Sequence, residues 1–76
     1  MTTYTIFPES KIRLDELLRQ NLPKLTGLEL SNSKIRRLIM AGCIRVNGRE
    51  VRIPSYTVFE KSNVEAFIDK EKVLYE

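Results

Sequence analysis

The run Ser31-Asn32-Ser33-Lys34-Ile35-Arg36-Arg37-Leu38-Ile39-Met40-Ala41-Gly42-Cys43-Ile44-Arg45-Val46-Asn47-Gly48-Arg49-Glu50-Val51 decides how the chain folds. It opens on three residues that cap helices well. Ile35, Leu38 and Ile39 follow at helical spacing, and Gly42 is placed to end that helix in a left-handed conformation. Then Ile44-Arg45-Val46 alternates apolar and polar, Asn47-Gly48 supplies a type I′ turn, and Arg49-Glu50-Val51 returns. A two-residue loop sets Val46 opposite Arg49, Arg45 opposite Glu50 and Ile44 opposite Val51. This register predicts an Arg45–Glu50 ion pair on the face away from Ile44 and Val51.

The same run holds most of the charge asymmetry. Between Lys34 and Arg52 lie six cations and one acid, Glu50, a net of +5. The other seven cations and nine acids net −2. A basic middle within mildly acidic flanks is the footprint of a polyanionic partner, or, in the plainer reading, a solvated face.

Upstream, Thr3 to Phe7 reads as a short strand closed by Pro8. Ser10 is a candidate N-cap for a helix carrying Ile12, Leu14, Leu17, Leu18 and Leu22, which the sequence ends before Pro23. Lys24 to Leu30 lacks a period and reads as a loop. Downstream, Tyr56–Phe59 and Val64–Ile68 read as strands around Lys61-Ser62-Asn63. Tyr56 and Phe59 read as core packing in preference to base stacking. The tail is charged up to Val73-Leu74-Tyr75, a candidate edge strand.

Composition narrows the function. Seventy-six residues allow one domain, spanning residues 1–76. There are no histidines, which removes His-based catalysis and His metal sites. No apolar run approaches the ~18 residues of a membrane span, and none follows Met1 as a secretory signal would. The single cysteine, Cys43, cannot form an internal disulfide, so a reducing cytoplasm is expected. It reads as a small buried apolar residue; in the alternative, Arg45 activates it as a thiol. No catalytic residue, cofactor, metal or small-molecule substrate is expected.

On a helix with ~100° between side chains, Ile35, Leu38 and Ile39 face the core. Lys34 and Arg37 then fall on one flank and Arg36 on the other. The helix start adds backbone N–H groups with Ser31 and Ser33, a setting that suits phosphate. Asn47, Gly48 and Arg49 extend the surface at the hairpin tip. Arg45 belongs to it unless Glu50 occupies it, and Arg13 belongs to it unless Glu9 or Glu16 does. Five of the six basic residues in this segment are arginine, whose planar fork suits phosphates and base edges.

The order of these pieces resembles the RNA-binding domain named after protein S4 of the small ribosomal subunit. Arg13-Leu14-Asp15 with Leu17-Leu18 resembles the opening of its first helix, and Ser31-Asn32-Ser33 that of its second. Leu38-Ile39, Gly42, Ile44-Arg45-Val46-Asn47-Gly48 and Pro54-Ser55-Tyr56-Thr57-Val58 follow in the family's order. The resemblance runs from residue 12 to about 68. Asn32 stands where the family has arginine, Ser62-Asn63 where it has Gly-Asp, and the 24–30 loop is longer. The strand before Arg13 most resembles the front of bacterial large-subunit pseudouridine synthases. Those enzymes also use Arg-Leu-Asp in catalysis, but Glu16-Leu17-Leu18 does not continue that motif, and Asp15 reads as a first-turn helix acid.

The resemblance implies an α+β fold, two main helices on a small, mostly antiparallel sheet, the alpha-L motif. It implies a non-catalytic module that binds structured ribosomal or transfer RNA. The expected contacts are Arg13, Ser31, Asn32, Ser33, Lys34, Arg36, Arg37, Arg45, Asn47, Gly48 and Arg49. Two other readings stand beside it: the detached N-terminal domain of a pseudouridine synthase, and a protein-interaction module meeting an acidic partner.

Overall fold

The computed structural model describes residues 1–75. The run 31–51 forms the predicted helix, corner and hairpin. The helix, α2, spans Asn32–Met40; strands β3 (Ile44–Val46) and β4 (Arg49–Glu50) follow. Asn47 and Gly48 take φ of 52° and 83°, the paired left-handed residues of a type I′ turn. The register is the predicted one, Arg45 opposite Glu50 and Val46 opposite Arg49, and the Val51 N–H donates to the Ile44 carbonyl.

Gly42 ends α2 at φ 85°. Its N–H donates to the Ile39 carbonyl and that of Cys43 to the Leu38 carbonyl, at 3.1 Å each. These bonds form a Schellman motif, which satisfies carbonyls the helix end would otherwise leave open.

The hairpin is half of a four-stranded antiparallel sheet. Its order is β1 (Thr2–Ile6), β6 (Val64–Ile68), β3, β4. Period-two alternation sends Ile6, Val64, Ala66, Ile68, Ile44 and Val46 to one face, where all are buried. Leu14, Leu17, Leu18 and Leu22 of α1 (Leu14–Thr26), Ile35 and Ile39 of α2, and Leu30 and Val58 complete the core. The fold is α+β, helices packed on a mostly antiparallel sheet, as expected.

Helix α1 differs from its reading at both ends. It starts at Leu14, not after Ser10, because Ile12–Arg13 forms strand β2 with β5 (Thr57–Val58). The first amides, of Leu14 and Asp15, donate to the carbonyls of Tyr56 and Pro54 at 2.8 and 3.1 Å. Backbone carbonyls from 40 residues on thus replace a side-chain cap, which no local pattern reveals. At the other end the helix runs through Pro23 to Thr26, although an interior proline costs about 3 kcal/mol. The turn beyond it is anchored. Thr26 is buried and its hydroxyl donates to the Leu22 carbonyl and accepts from the Leu28 N–H. Gly27, at φ 72°, closes the helix on the Pro23 carbonyl. Three of the seven residues of the expected 24–30 loop are therefore helix.

Smaller corrections follow the same logic. β1 ends at Ile6, leaving Phe7 63% exposed. Residues 70–75 form helix α3 (Lys70–Tyr75), not an edge strand. Asp69 starts it by accepting the Glu71 N–H. Tyr56 and Phe59 are exposed, not core. The core of that segment is Val58 alone, because two residues of strand leave only one inward position.

Candidate nucleic-acid interface

The two helix starts differ in what they offer. Those of α1 are taken: Leu14 and Asp15 bond distant carbonyls, and the Glu16 N–H donates to Asp15 Oδ1. At α2 the Ser31 Oγ accepts the Lys34 N–H at 3.2 Å. Ser31 is therefore the cap, and Asn32 and Ser33 lie inside the helix. Among the described residues the amides of Asn32 and Ser33 have no protein acceptor, and both side chains are exposed. Positive helix-end dipole and open donors coincide at α2 and not at α1.

Helix α2 divides the predicted site residues as its periodicity requires. On one flank Asn32 and Arg36 line a cleft of about 340 Å³ with Arg13 and Arg19. On the other, Lys34 and Arg37 line a second cleft of about 250 Å³ with Phe67. Arg45 belongs to this second side, since its guanidinium lies over the Phe67 ring, 5.0 Å from the centroid. Asn47, Gly48 and Arg49 form the exposed hairpin tip. The predicted residues thus make two flanks and a tip around α2, not one continuous patch.

Acids neutralise these cations unevenly. In the first cleft Arg13 donates to both oxygens of Asp15, at 3.2 and 3.0 Å, and Arg19 donates to Glu16. Glu16 raises the Arg19 pKa, by hydrogen bond first and charge second. Arg13 therefore does find a local partner, though it is Asp15 and neither Glu9 nor Glu16. Arg52 takes Glu50 at 3.0 Å. Among the described residues Lys34, Arg36 and Arg49 form no ion pair. These cations sit on or beside the run that defined the fold.

The expected Arg45–Glu50 pair is absent. The sequence register considered the hairpin alone, whereas β6 lies on the other side of β3 and offers Glu65 and Phe67 to the same face. A cation over an exposed ring is worth ~0.5–1 kcal/mol and an exposed ion pair ~0–1 kcal/mol. Neither dominates, and Glu50 is drawn to Arg52.

Asn47 is first a structural residue, since its Oδ1 accepts the Asn63 N–H. Cys43 is half-buried beside the second cleft, not fully buried. Sequence reasoning missed Arg19, which lies outside the basic run; its i,i+3 spacing from Glu16 and helical offset from Arg13 were the available signals. Phe67 was read only as part of a strand.

Residues 12–64, more than two thirds of the chain, match the S4 domain family. The chain belongs to the S4 domain family. S4 domains are generally RNA-binding modules, non-catalytic by themselves. No curated protein matches the chain. The matched S4 segment runs from Ile12, before Arg13, to beyond the hairpin, and so includes every predicted site residue.

Proposed function

We propose that the chain docks on folded RNA, ribosomal or transfer RNA, through α2 and the hairpin. The observation that carries this reading is the separation of spent from unspent charge. Arg13, Arg19 and Arg52 are engaged by acids, while Lys34, Arg36 and Arg49 are not, around a helix start with open amides. The one acid of the run, Glu50, is taken by Arg52, which leaves Lys34, Arg36 and Arg49 to a polyanionic partner. The Arg13–Asp15 and Arg19–Glu16 pairs brace the first cleft, leaving Arg36 and Asn32 as its contacts.

With about four to six phosphate contacts, each worth roughly 0.7 to 0.9 of slope, log affinity should fall against log salt with a slope of about −3 to −5. Titration of a labelled rRNA or tRNA fragment over a salt series measures it. A slope near zero contradicts the proposal, and a pulldown partner that survives RNase would favour an acidic protein instead.

A second reading rests on β1, which precedes the matched segment and pairs along all five residues with β6. By its resemblance in sequence to the front of bacterial large-subunit pseudouridine synthases, this segment suits the RNA-docking unit of such an enzyme, with the catalytic domain elsewhere. The complete open reading frame tests it: a catalytic domain downstream supports it, and a stop codon shortly after Glu76 contradicts it.

A further inference from the structure

The cleft beside Lys34 and Arg37 differs from a plain phosphate groove. Its lining includes the apolar Leu38 and the ring of Phe67, both half-buried, as well as three cations, Lys34, Arg37 and Lys72, and one acid, Asp69. Arg45 does not line the cleft; its guanidinium lies over the Phe67 ring from outside it. Phe67 is held from both sides. It pairs with Thr3 in β1, and its N–H donates to the Cys43 carbonyl at 2.8 Å. These bonds fix the backbone of Phe67 in the sheet, with its ring on the outer face beside the cationic flank of α2.

At about 250 Å³ the cleft is smaller than the ~300–1,000 Å³ of pockets for drug-sized ligands. It suits one flat ring with its flanking charge. Aromatic rings take any base by its π-face, and arginine adds a cation–π contribution. Lysine and arginine beside the ring suit the phosphates on either side. A duplex keeps its bases stacked and cannot present one here. A bulged base is already unstacked and avoids the cost of extrusion.

We propose that this cleft receives a single unstacked nucleotide of the bound RNA, its base against Phe67 and its phosphates against Lys34, Arg37 and Lys72. The proposal rests on the RNA-binding reading above and adds the element of RNA structure that is recognised.

The test compares two end-labelled RNA hairpins, identical except for one bulged nucleotide, by fluorescence anisotropy at one salt concentration. The wild type should bind the bulged RNA about tenfold more tightly, within the range typical of base–aromatic stacking. Phe67→Leu should erase most of that preference, while Phe67→Tyr should keep it. Ala41→Leu, which narrows the cleft from an exposed position at the end of α2, should also erase it, and it covers the case in which Phe67→Leu fails to fold. Equal wild-type affinity for the two RNAs, or a preference that survives Phe67→Leu or Ala41→Leu in folded protein, overturns the nucleotide pocket and leaves RNA binding standing. Failure of the wild type to bind either RNA overturns both.

Discussion

Asn47 and Asn63 hold each other twice: the Asn47 N–H donates to the Asn63 carbonyl at 2.8 Å, and the Asn63 N–H donates to Asn47 Oδ1 at 2.9 Å. This clasp ties the hairpin tip to the turn before β6. One residue therefore supplies both the left-handed conformation of the type I′ turn and the bond that fixes where the tip points. Asn47→Gly keeps the conformation and removes the side-chain bond, so it should lower stability by about 0.5–1.5 kcal/mol. Asn47→Ala removes both and should cost about 1–2 kcal/mol more. Urea midpoints of the three proteins measure the split; Asn47→Gly as stable as wild type would mean the clasp contributes nothing.

Gly42 and Gly48 share a positive φ but not their surroundings. A Cβ at Gly48 meets nothing within 4 Å, whereas one at Gly42 falls 2.7 Å from Glu50 Oε1 and 3.0 Å from an Arg52 guanidinium nitrogen. Both neighbours are ends of exposed, flexible side chains that swing away cheaply. Alanine at either position should therefore cost a similar ~1–2 kcal/mol from backbone conformation alone. Chemical denaturation of the two variants checks this. A much larger loss at Gly42 that Glu50→Ala relieves would show that the close approach, not φ, governs the corner.

Lys61 takes φ 66° in the turn where the family pattern has glycine one position on. A lysine gains nothing there from a short side chain bonding its own backbone, so the conformation is strained. Lys61→Gly should raise stability by up to ~1 kcal/mol, less the greater chain entropy of glycine when unfolded. A thermal melt reads this as an upward shift of a few degrees, and a lower melting temperature would contradict it.

What the sequence reveals here depends on how local the cause is. The helix–corner–hairpin run was legible because its period, its Schellman glycine and its Asn-Gly turn all act within about ten residues. The start of α1 was not, since the carbonyls of Tyr56 and Pro54 replace the Ser10 cap across the fold. Nor was the helix beyond Pro23, where the Thr26 hydroxyl and the Gly27 cap anchor the last turn. The site followed the same rule. The flanks of α2 were readable from helical angle, but the partner of Arg45 depended on β6 arriving beside β3. Phe67 became visible as part of a site only when the sheet was assembled.

The central claim is that position on α2, not net charge, governs RNA binding, and one comparison tests it most directly. Lys34→Ala with Arg37→Ala removes two cations from the flank of α2, and Lys24→Ala with Lys70→Ala removes two from exposed positions that line neither cleft. Affinities for one folded RNA are measured at a single salt concentration, below the melting point of both proteins. The first pair should weaken binding by roughly 1–3 kcal/mol, and the second should change it by no more than about 0.5 kcal/mol. Equal losses from the two pairs would contradict the account, because charge anywhere on the surface would then serve as well as charge on α2.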